Sequence, residues 1–542
     1  MQTLNIFLQR FGLSFYLVFI LFLGGCGGEG GGGGNTSPPP ISGNVAPVAA
    51  NDVAATRMNM ALNINVLAND TDPDGDTLSV ASVTQGMRGA VSINQNGTVN
   101  YSPATNFTGR DKFSYTIKDG YGNTATASVT VKVALANGLP IERVSVSTNT
   151  TEGNQASWMG AVSSEGGYIA FHTSASNLIS GGSSSGNILL HDRVTNETSL
   201  VSVDLNGLPA LQGGQQPAVS SDGRYVAFSS FDSNLIAADS NASPDIFVRD
   251  RQLGTTTRVS IATGGAQANG GSFAPAISAD GRYVTFFSLA SNLVPTDLNG
   301  ANGDIFVHDR ESGETNLVSI GLGGTQIGGG AFDSGPSISY DGRYVAFMSN
   351  GQIFVRDRQT NQTTMASVSS TGTPANGSCN LPAISGNGQV VAYTSVATNL
   401  VTGDTNGVRD IFVHDLQTGV TIRVDVATDG TEANGEVPDL NRPAVSEDGR
   451  FIAFLSAATN LVAGDTNGVP DVFVHDRQTN QTIRINAAGN GDQANGPSGD
   501  SVMVSMTANG EYVVLSSQAT NLVLGDTNGW MDVFVSPNPL AP

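Results

Sequence analysis

"PAVSSDGRYVAFSS" (Pro217–Ser230) holds a short apolar run, a Ser-x-Asp-Gly turn and a second run with period-two alternation. It is followed by "DIFVRD" (Asp245–Asp250) and "TTTRVSI" (Thr255–Ile261). Gly and Asp favour tight turns, and the β-branched and aromatic residues around them favour a pleated surface, so the stretch reads as four consecutive antiparallel strands. The turn-and-strand word returns as "SSEGGYIAF", "SADGRYVTF", "SYDGRYVAF", "SGNGQVVAY", "SEDGRFIAF" and "TANGEYVVL". Self-similarity at a fixed interval marks a repeat architecture, in which each unit buries a face only by stacking on its neighbours. The expectation is an all-β array of seven four-stranded units, a seven-bladed β-propeller, over 141–542. The seventh unit ends at "DVFVSPNPLAP" with no outer strand, whereas a spare strand, "IERVSVST" (Ile141–Thr148), precedes the first. The spare strand is expected to complete the seventh unit and close the ring.

These repeat words resemble the propeller repeats of TolB and its relatives, a WD-repeat-like family. The resemblance covers the region beyond Ile141 and is specific at the Asp-Gly-Arg turn and the "IFV-D" strand. The α/β domain of that family has no counterpart here and the loops are longer, so the family's role in the envelope does not carry over.

A second word recurs between strands two and three: "GDTNGVRDIFVHD" (Gly403–Asp415), "GDTNGVPDVFVHD" (Gly464–Asp476) and "GDTNGWMDVFV" (Gly525–Val535). It supplies Asp404, Asn406 and Asp410; Asp465, Asn467 and Asp471; and Asp526, Asn528 and Asp532. Related sets are Asp297, Asn299 and Asp304, and Asp239, Asn241 and Asp245, while the fourth unit passes through "FMSNGQIFV" without the loop. Oxygen ligands at this spacing are candidates for calcium, although the set is shorter than a complete calcium loop. An Asn-Gly turn flanked by Asp explains the same residues without metal. Because strands alternate in direction, this loop emerges on the same face as the long links between units, and the opposite face carries only tight turns. Function on a rigid scaffold gathers on such loops.

Ahead of the repeats, 45–135 has the size and turn spacing of a small sandwich. Its last run, "ASVTVKV", puts Val129, Val131 and Val133 on one face, as in a closing edge strand. The words "VLANDTDPDGDTLSV" and "GTVNYSPATNFTGRDKFSYTIKDG" resemble bacterial cadherin-like or immunoglobulin-like repeat domains, a family whose acidic loop often binds calcium. Asp70, Asp72, Asp74 and Asp76 alternate through a bend and can aim carboxylates at one point, with Asp119 as a further ligand. The alternative is that "DPDGD" is only a favourable turn.

The opening "LQRFGLSFYLVFILFLGGCGG" has one Arg, an apolar run and then small residues, the order of a signal peptide over 1–25. "LGGC" resembles a bacterial lipobox, which implies cleavage before Cys26, lipidation of its sulfur and, with no Asp following, the outer membrane. Residues 26–44, rich in Gly and then Pro, read as a tether.

A net charge of −22 with 24 Lys and Arg disfavours nucleic acid as a partner. His191, His308, His414 and His475 share a position where Arg249 and Arg356 stand in other units. They are therefore expected to be structural, each pairing with the Asp that follows it. His172 stands alone and is read the same way. "GSSSG" (Gly182–Gly186) lacks the strand-to-helix setting of a nucleophile elbow. Cys379 has no catalytic partner in view, and Trp158 and Trp530 fall on the long-loop face. The chain reads as a lipid-anchored envelope binding protein whose long-loop face meets a protein or glycan, with calcium as the cofactor. A propeller hydrolase or lyase acting on polysaccharide is the alternative.

Overall fold

The computed structural model describes residues 44–541, apart from 58–59, 105–106, 108, 135–140, 183–185, 331–334, 490 and 500–502. The expected signal peptide, Cys26, nearly all of the tether and the centre of "GSSSG" lie outside the described residues. Those residues are all-β, with one 3-10 turn at Val66–Ala68 and no α-helix.

The first part is a sandwich of two sheets. One orders its strands Asp52–Arg57, Thr124–Ala134, Gly109–Lys118 and Ser79–Val83; the other orders Leu62–Ile64, Val99–Pro103 and Gly89–Ile93. Alternation along Thr124–Ala134 buries Val129, Val131 and Val133 against Tyr101, Phe113 and Tyr115. The expected single buried face is present, but the edge position is not. Asp52–Arg57 pairs with this strand in parallel and Gly109–Lys118 pairs with its other side. A parallel partner from the far end of the domain leaves no local signal in the strand it covers.

Beyond residue 141 lies a propeller-like succession of seven four-stranded antiparallel sheets among the described residues. The second runs Gln215–Val219, Tyr225–Ser230, Asp245–Asp250 and Thr255–Arg258. Its turn is fixed by Ser220, whose Oγ donates to Asp222 Oδ1 at 2.7 Å and accepts from Tyr225 N at 2.9 Å. Gly223 sits at φ 72°, and a Cβ there would come within 2.1 Å of the Tyr168 ring of the preceding sheet. Arg224 then clamps Asp250 at 2.7 Å across the hairpin, as Arg282 does with Asp309, Arg343 with Asp357 and Arg450 with Asp476.

Apolar clusters join sheet to sheet. Ile188, Leu190, Phe228 and Phe247 lie between the first and second, and Ile411, Val413, Phe454 and Phe473 between the fifth and sixth. Ile169, Phe171, Val533 and Val535 join the first to the seventh. Each such buried side chain contributes roughly 1.5–3 kcal/mol. The seventh sheet takes its fourth strand from Glu142–Arg143, with Arg143 opposite Phe534 and Val144 N donating to Val533 O at 2.8 Å.

Where the turns meet, backbone bonds pass from sheet to sheet: Ser221 N to Ala279 O, Ala279 N to Tyr340 O, Tyr340 N to Gly386 O, and Asn387 N to Glu447 O. Glu447 N continues to Ala508 O and Ala508 N to Ser164 O, and Ser164 Oγ meets Ser221 Oγ at 2.6 Å.

The repeated histidines do not pair with the Asp that follows them. Consecutive strand residues face opposite sides of a sheet, so His308 and Asp309 cannot meet. His308 Nδ1 instead lies 2.9 Å from Thr315 Oγ1, whose hydroxyl donates to Ile261 O of the preceding unit at 2.5 Å. With the hydroxyl proton committed, Nδ1 is the donor in that pair. His191, His414 and His475 bond Thr198, Thr421 and Thr482 in the same way, and Arg249 and Arg356 reach Thr256 and Thr363. Burial lowers the pKa of His308 and His475 to about 4, so both are neutral clasps between units.

Candidate functional site

In the sandwich, the bend at Gly75 (φ 80°) turns the acidic loop back on itself. Asp72 Oδ1 accepts from Asp74 N at 2.9 Å and Asp76 N at 3.2 Å. One carboxylate oxygen from each of Asp72, Asp74 and Asp76 then lies within 4.8 Å of the others. Asp72 Oδ2 and Asp76 Oδ2 are buried without a hydrogen-bond donor. Burial pushes the Asp76 pKa up, and the charges of Asp72, Asp119 and Asp74 push it further. This oxygen-only, electron-rich set fits a hard cation such as calcium.

The other two expected ligands are engaged elsewhere. Asp70 Oδ1 accepts from Ala50 N at 2.7 Å and from the Tyr115 hydroxyl at 3.0 Å. Asp119 Oδ1 accepts from the backbone of Tyr121, Gly122 and Asn123 at 2.6–2.9 Å. Burial alone would raise the Asp119 pKa, but bonds from Asn123, Tyr121 and Gly122 outweigh it and the net shift is downward. Asp52 was not expected here. Its Oδ2 is buried without a donor, and burial and the Asp70 charge raise its pKa. Strand register, not local sequence, brings it to this end of the sandwich.

The five acidic loops of the repeat each gather their first and last Asp, and in four of them the chain's own guanidinium stands between. Arg258 Nη1 lies 3.2 Å from both Asp239 and Asp245. Arg484 Nη1 is 3.4 Å from Asp465 and 3.2 Å from Asp471. Arg423 Nη1 is 3.5 Å from Asp404, 3.6 Å from Asp410 and 2.5 Å from Glu432. In the seventh sheet Arg143 Nη1 is 3.5 Å from Glu152, 3.4 Å from Asp526 and 3.3 Å from Asp532. The Asn of each of these loops caps the turn: Asn241, Asn406, Asn467 and Asn528 donate to Asp245, Asp410, Asp471 and Asp532.

The arginine always stands opposite the central Phe of the third strand. Where that register position is Leu317, Gln326 Nε2 reaches Asp297, Asn299 and Asp304, each at 2.9 Å. Where the last Asp is replaced by Asn187 or Gln352, the arginine is replaced by Leu200 or Met365. Four of the five acidic pairs thus carry the arginine, the fifth takes a neutral amide instead, and the two sheets without the last Asp carry no arginine at that position. Arg423, Glu432 and their counterparts were not expected, though "TTRV", "TIRV", "TIRI" and "IERV" mark every sheet that carries the arginine.

A buried donor backs the last Asp. Ser260, Ser319 and Ser145 donate to Asp245, Asp304 and Asp532 at 2.5–2.6 Å, and Asn486 Nδ2 donates to Asp471 at 2.6 Å. In the fifth sheet this residue is Asp425, fully buried and accepting from Ile411 N at 3.1 Å. Burial, and then the charge of Asp410, push its pKa well up. Asp425 thus stands where a hydroxyl or amide donor backs the last Asp in other sheets, and its raised pKa favours the protonated form, which can donate to Asp410.

Trp530 is half exposed on the long-loop face, and Trp158 packs edge-on against His172 at 4.4 Å. Cys379 is buried and lies 3.2 Å from Ser395 Oγ.

No curated protein matches the chain. Among solved structures, a TolB protein of Agrobacterium tumefaciens overlaps 64% of this chain and 95% of its own, at 13% identity and a TM-score of 0.32. Dipeptidyl peptidase 4 of Porphyromonas gingivalis overlaps 66% of this chain and 48% of its own, at 14% identity and a TM-score of 0.35. The dihydro-heme d1 dehydrogenase NirN overlaps 78% of this chain and 70% of its own, at 15% identity and a TM-score of 0.35. These overlaps are loose, and the architecture rests on the strand pairing itself. Residues 44–132 match the family model of the bacterial Ig domain, so the chain is an Ig-like domain followed by a propeller-like array of four-stranded sheets.

Proposed function

We propose that this protein is a cell-envelope binding protein: an Ig-like domain that takes calcium, and a closed seven-bladed propeller whose long-loop face docks a protein or glycan. The observation that carries the reading is the placement of exposed apolar side chains. Leu208, Phe231, Leu298, Leu322, Leu524 and Trp530 are exposed on loops and links of one face; the tight turns of the other expose Val194, Leu253 and Val420. Concentrated apolar exposure on one side of a soluble scaffold is the mark of an interaction surface. The acidic loops stiffen that face through their arginines, and calcium belongs to Asp72, Asp74 and Asp76. The succession of apolar clusters, from the first pair of sheets back to the seventh and first, supports ring closure.

No helix among the described residues is long and apolar enough to cross a membrane. Attachment through lipid on Cys26, to the outer membrane, fits the leading sequence. Cys26→Ser is expected to move the protein from the membrane fraction to the soluble one.

A photo-crosslinking residue at Leu298 in intact cells is expected to give adducts that the same residue at Leu253 does not. Equal labelling at both positions would sink the docking face. Calcium titration calorimetry on the full chain is expected to lose its signal in Asp72→Asn and Asp76→Asn. Several equivalents surviving both changes would instead assign ions to the propeller loops.

A further inference from the structure

On the tight-turn face, the residue that follows each third strand closes the seam to the preceding sheet, with one exception. Arg193, Arg251, Arg310, Arg358 and Arg477 donate through Nη1 to Gly166 O, Gly223 O, Gly281 O, Gly342 O and Gly449 O at 2.5–2.8 Å. In the seventh sheet Asn538 Nδ2 makes the same bond to Gly510 O at 2.9 Å. Four of these guanidinium groups also lie over a tyrosine of the preceding sheet. Arg193 is 4.6 Å from the Tyr512 ring and Arg251 5.0 Å from Tyr168, while Arg310 over Tyr225 and Arg358 over Tyr283 are both at 4.2 Å. Burial lowers the pKa of Arg310 and Arg358, and the tyrosine and the clamped aspartate of the preceding sheet, Asp250 or Asp309, oppose it.

The exception is the fifth sheet, where the position is Leu416. Leucine has no N–H to give, and among the described residues no side chain donates to Gly388 O, the counterpart of those carbonyls. Beyond residue 43 the stretches that the structure does not describe contain no Lys or Arg. Tyr344 of the fourth sheet keeps Arg343 over its ring at 4.7 Å but lacks the second guanidinium that Tyr225 and Tyr283 receive. Gln389 stands where other sheets have Arg224, Arg282 or Arg450, so the fifth sheet brings no positive charge to this seam. A recess of about 340 Å³ opens there, with Tyr344, Asp357, Gly388, Gln389, Leu416 and Gln417 in its lining. Gln389 and Gln417 are exposed and Tyr344 and Asp357 half-buried, so the recess reaches solvent. The ring, the carbonyl and the clamped aspartate of a guanidinium site are all present, and the chain supplies no guanidinium.

We propose that this recess binds an arginine side chain of a partner protein, its guanidinium over the Tyr344 ring and donating to Gly388 O. The site lies on the tight-turn face, so it goes beyond the docking face described above and does not depend on it. A flat guanidinium can lie on an aromatic face and donate in its own plane, which an ammonium cannot do as well. The net charge of −22 favours the approach of a cationic partner.

The test uses the full-length protein in equilibrium dialysis against a capped Gly-Arg-Gly peptide, with Gly-citrulline-Gly as its neutral isostere. The arginine peptide is expected to bind at least tenfold more tightly. Leu416→Arg, which restores the residue of five other sheets, is expected to abolish that binding and to keep or raise the thermal midpoint. A fall in the midpoint would mean that the recess does not accept a guanidinium, and would overturn the proposal. Equal binding of the two peptides would overturn it too, as would arginine binding that Leu416→Arg leaves unchanged. A photo-crosslinking residue at Gln417 in intact cells is expected to give a protein adduct that Leu416→Arg removes. Peptide binding without such an adduct would assign the recess to a small guanidinium compound and overturn the partner.

Discussion

Arg143→Met tests the seam between the first and seventh sheets. Arg143 is nearly buried, and its Nη1 lies 3.5, 3.4 and 3.3 Å from Glu152, Asp526 and Asp532. Asp532 is fully buried. Methionine keeps the apolar stem but strands three carboxylates beside one another. Removing one partner of a buried ion pair costs about 3–5 kcal/mol, far more than a surface bridge. The effect also depends on pH. Burial, and then the Asp532 charge, already raise the Asp526 pKa to about 6. A raised folded pKa means that the folded state holds its proton more tightly, so stability falls as pH rises through the folded value. Without Arg143 that rise is larger. The loss is therefore expected to be full at pH 8 and partly relieved at pH 5. The two tryptophans of the chain, Trp158 and Trp530, both flank this seam, where Ser157 N donates to Met531 O at 2.8 Å. Thermal unfolding followed by tryptophan fluorescence is expected to shift down in Arg143→Met and to precede the loss of strand signal by circular dichroism. Arg484→Met, in the sixth sheet, is expected to destabilise without separating the two signals. A tryptophan transition unmoved at pH 8 would refute the seam as described.

Two further changes probe the repeat. Asp425→Asn installs the donor that Asn486 provides in the sixth sheet and removes a carboxyl with a strongly raised pKa. The parent loses this site's contribution as pH rises through that value, so the variant is expected to gain about 1–3 kcal/mol over it at alkaline pH in urea unfolding; a larger gain at acid pH would contradict the shared proton. Gly223→Ala places a Cβ at φ 72° and within 2.1 Å of Tyr168, and is expected to cost about 1–3 kcal/mol, whereas Gly254→Ala, with φ 67° but only Arg249 Nη2 nearby at 3.9 Å, costs less.

The repeat was legible because each Ser-x-Asp-Gly turn is local, and its hydrogen bonds are made by residues within a few positions of one another. The same holds for the convergence of Asp72, Asp74 and Asp76 around Gly75. Pairings across distance were not legible. Arg258 meets Asp239 from the next strand but one, and its role emerges only when Leu317 and Met365 are set beside it. Reading His308 with Asp309 failed because adjacency in sequence is opposition in a strand. Thr124–Ala134 was placed at an edge because its parallel partner lies 77 residues earlier, Asp52 opposite Val129. The hydrogen bonds that Asp70 accepts from Tyr115 were not legible either, because they depend on strand register rather than on spacing, whereas those that Asp119 accepts come from the turn directly after it.

The pairing of Glu142–Arg143 with Phe534–Val535 carries a consequence for how the protein is made. Arg143 and Asp532 are 389 positions apart. Translation at about 5–20 residues per second separates their appearance by roughly 20–80 s. Throughout that interval the first sheet lacks its neighbour and Glu142–Arg143 lacks its strand, leaving edges that invite pairing with other chains. Any product that stops short of Asp532 keeps those edges permanently. The pairing of the first and last strands thus becomes a record of complete synthesis, and gives proteases and chaperones a physical signal by which to sort finished molecules from unfinished ones.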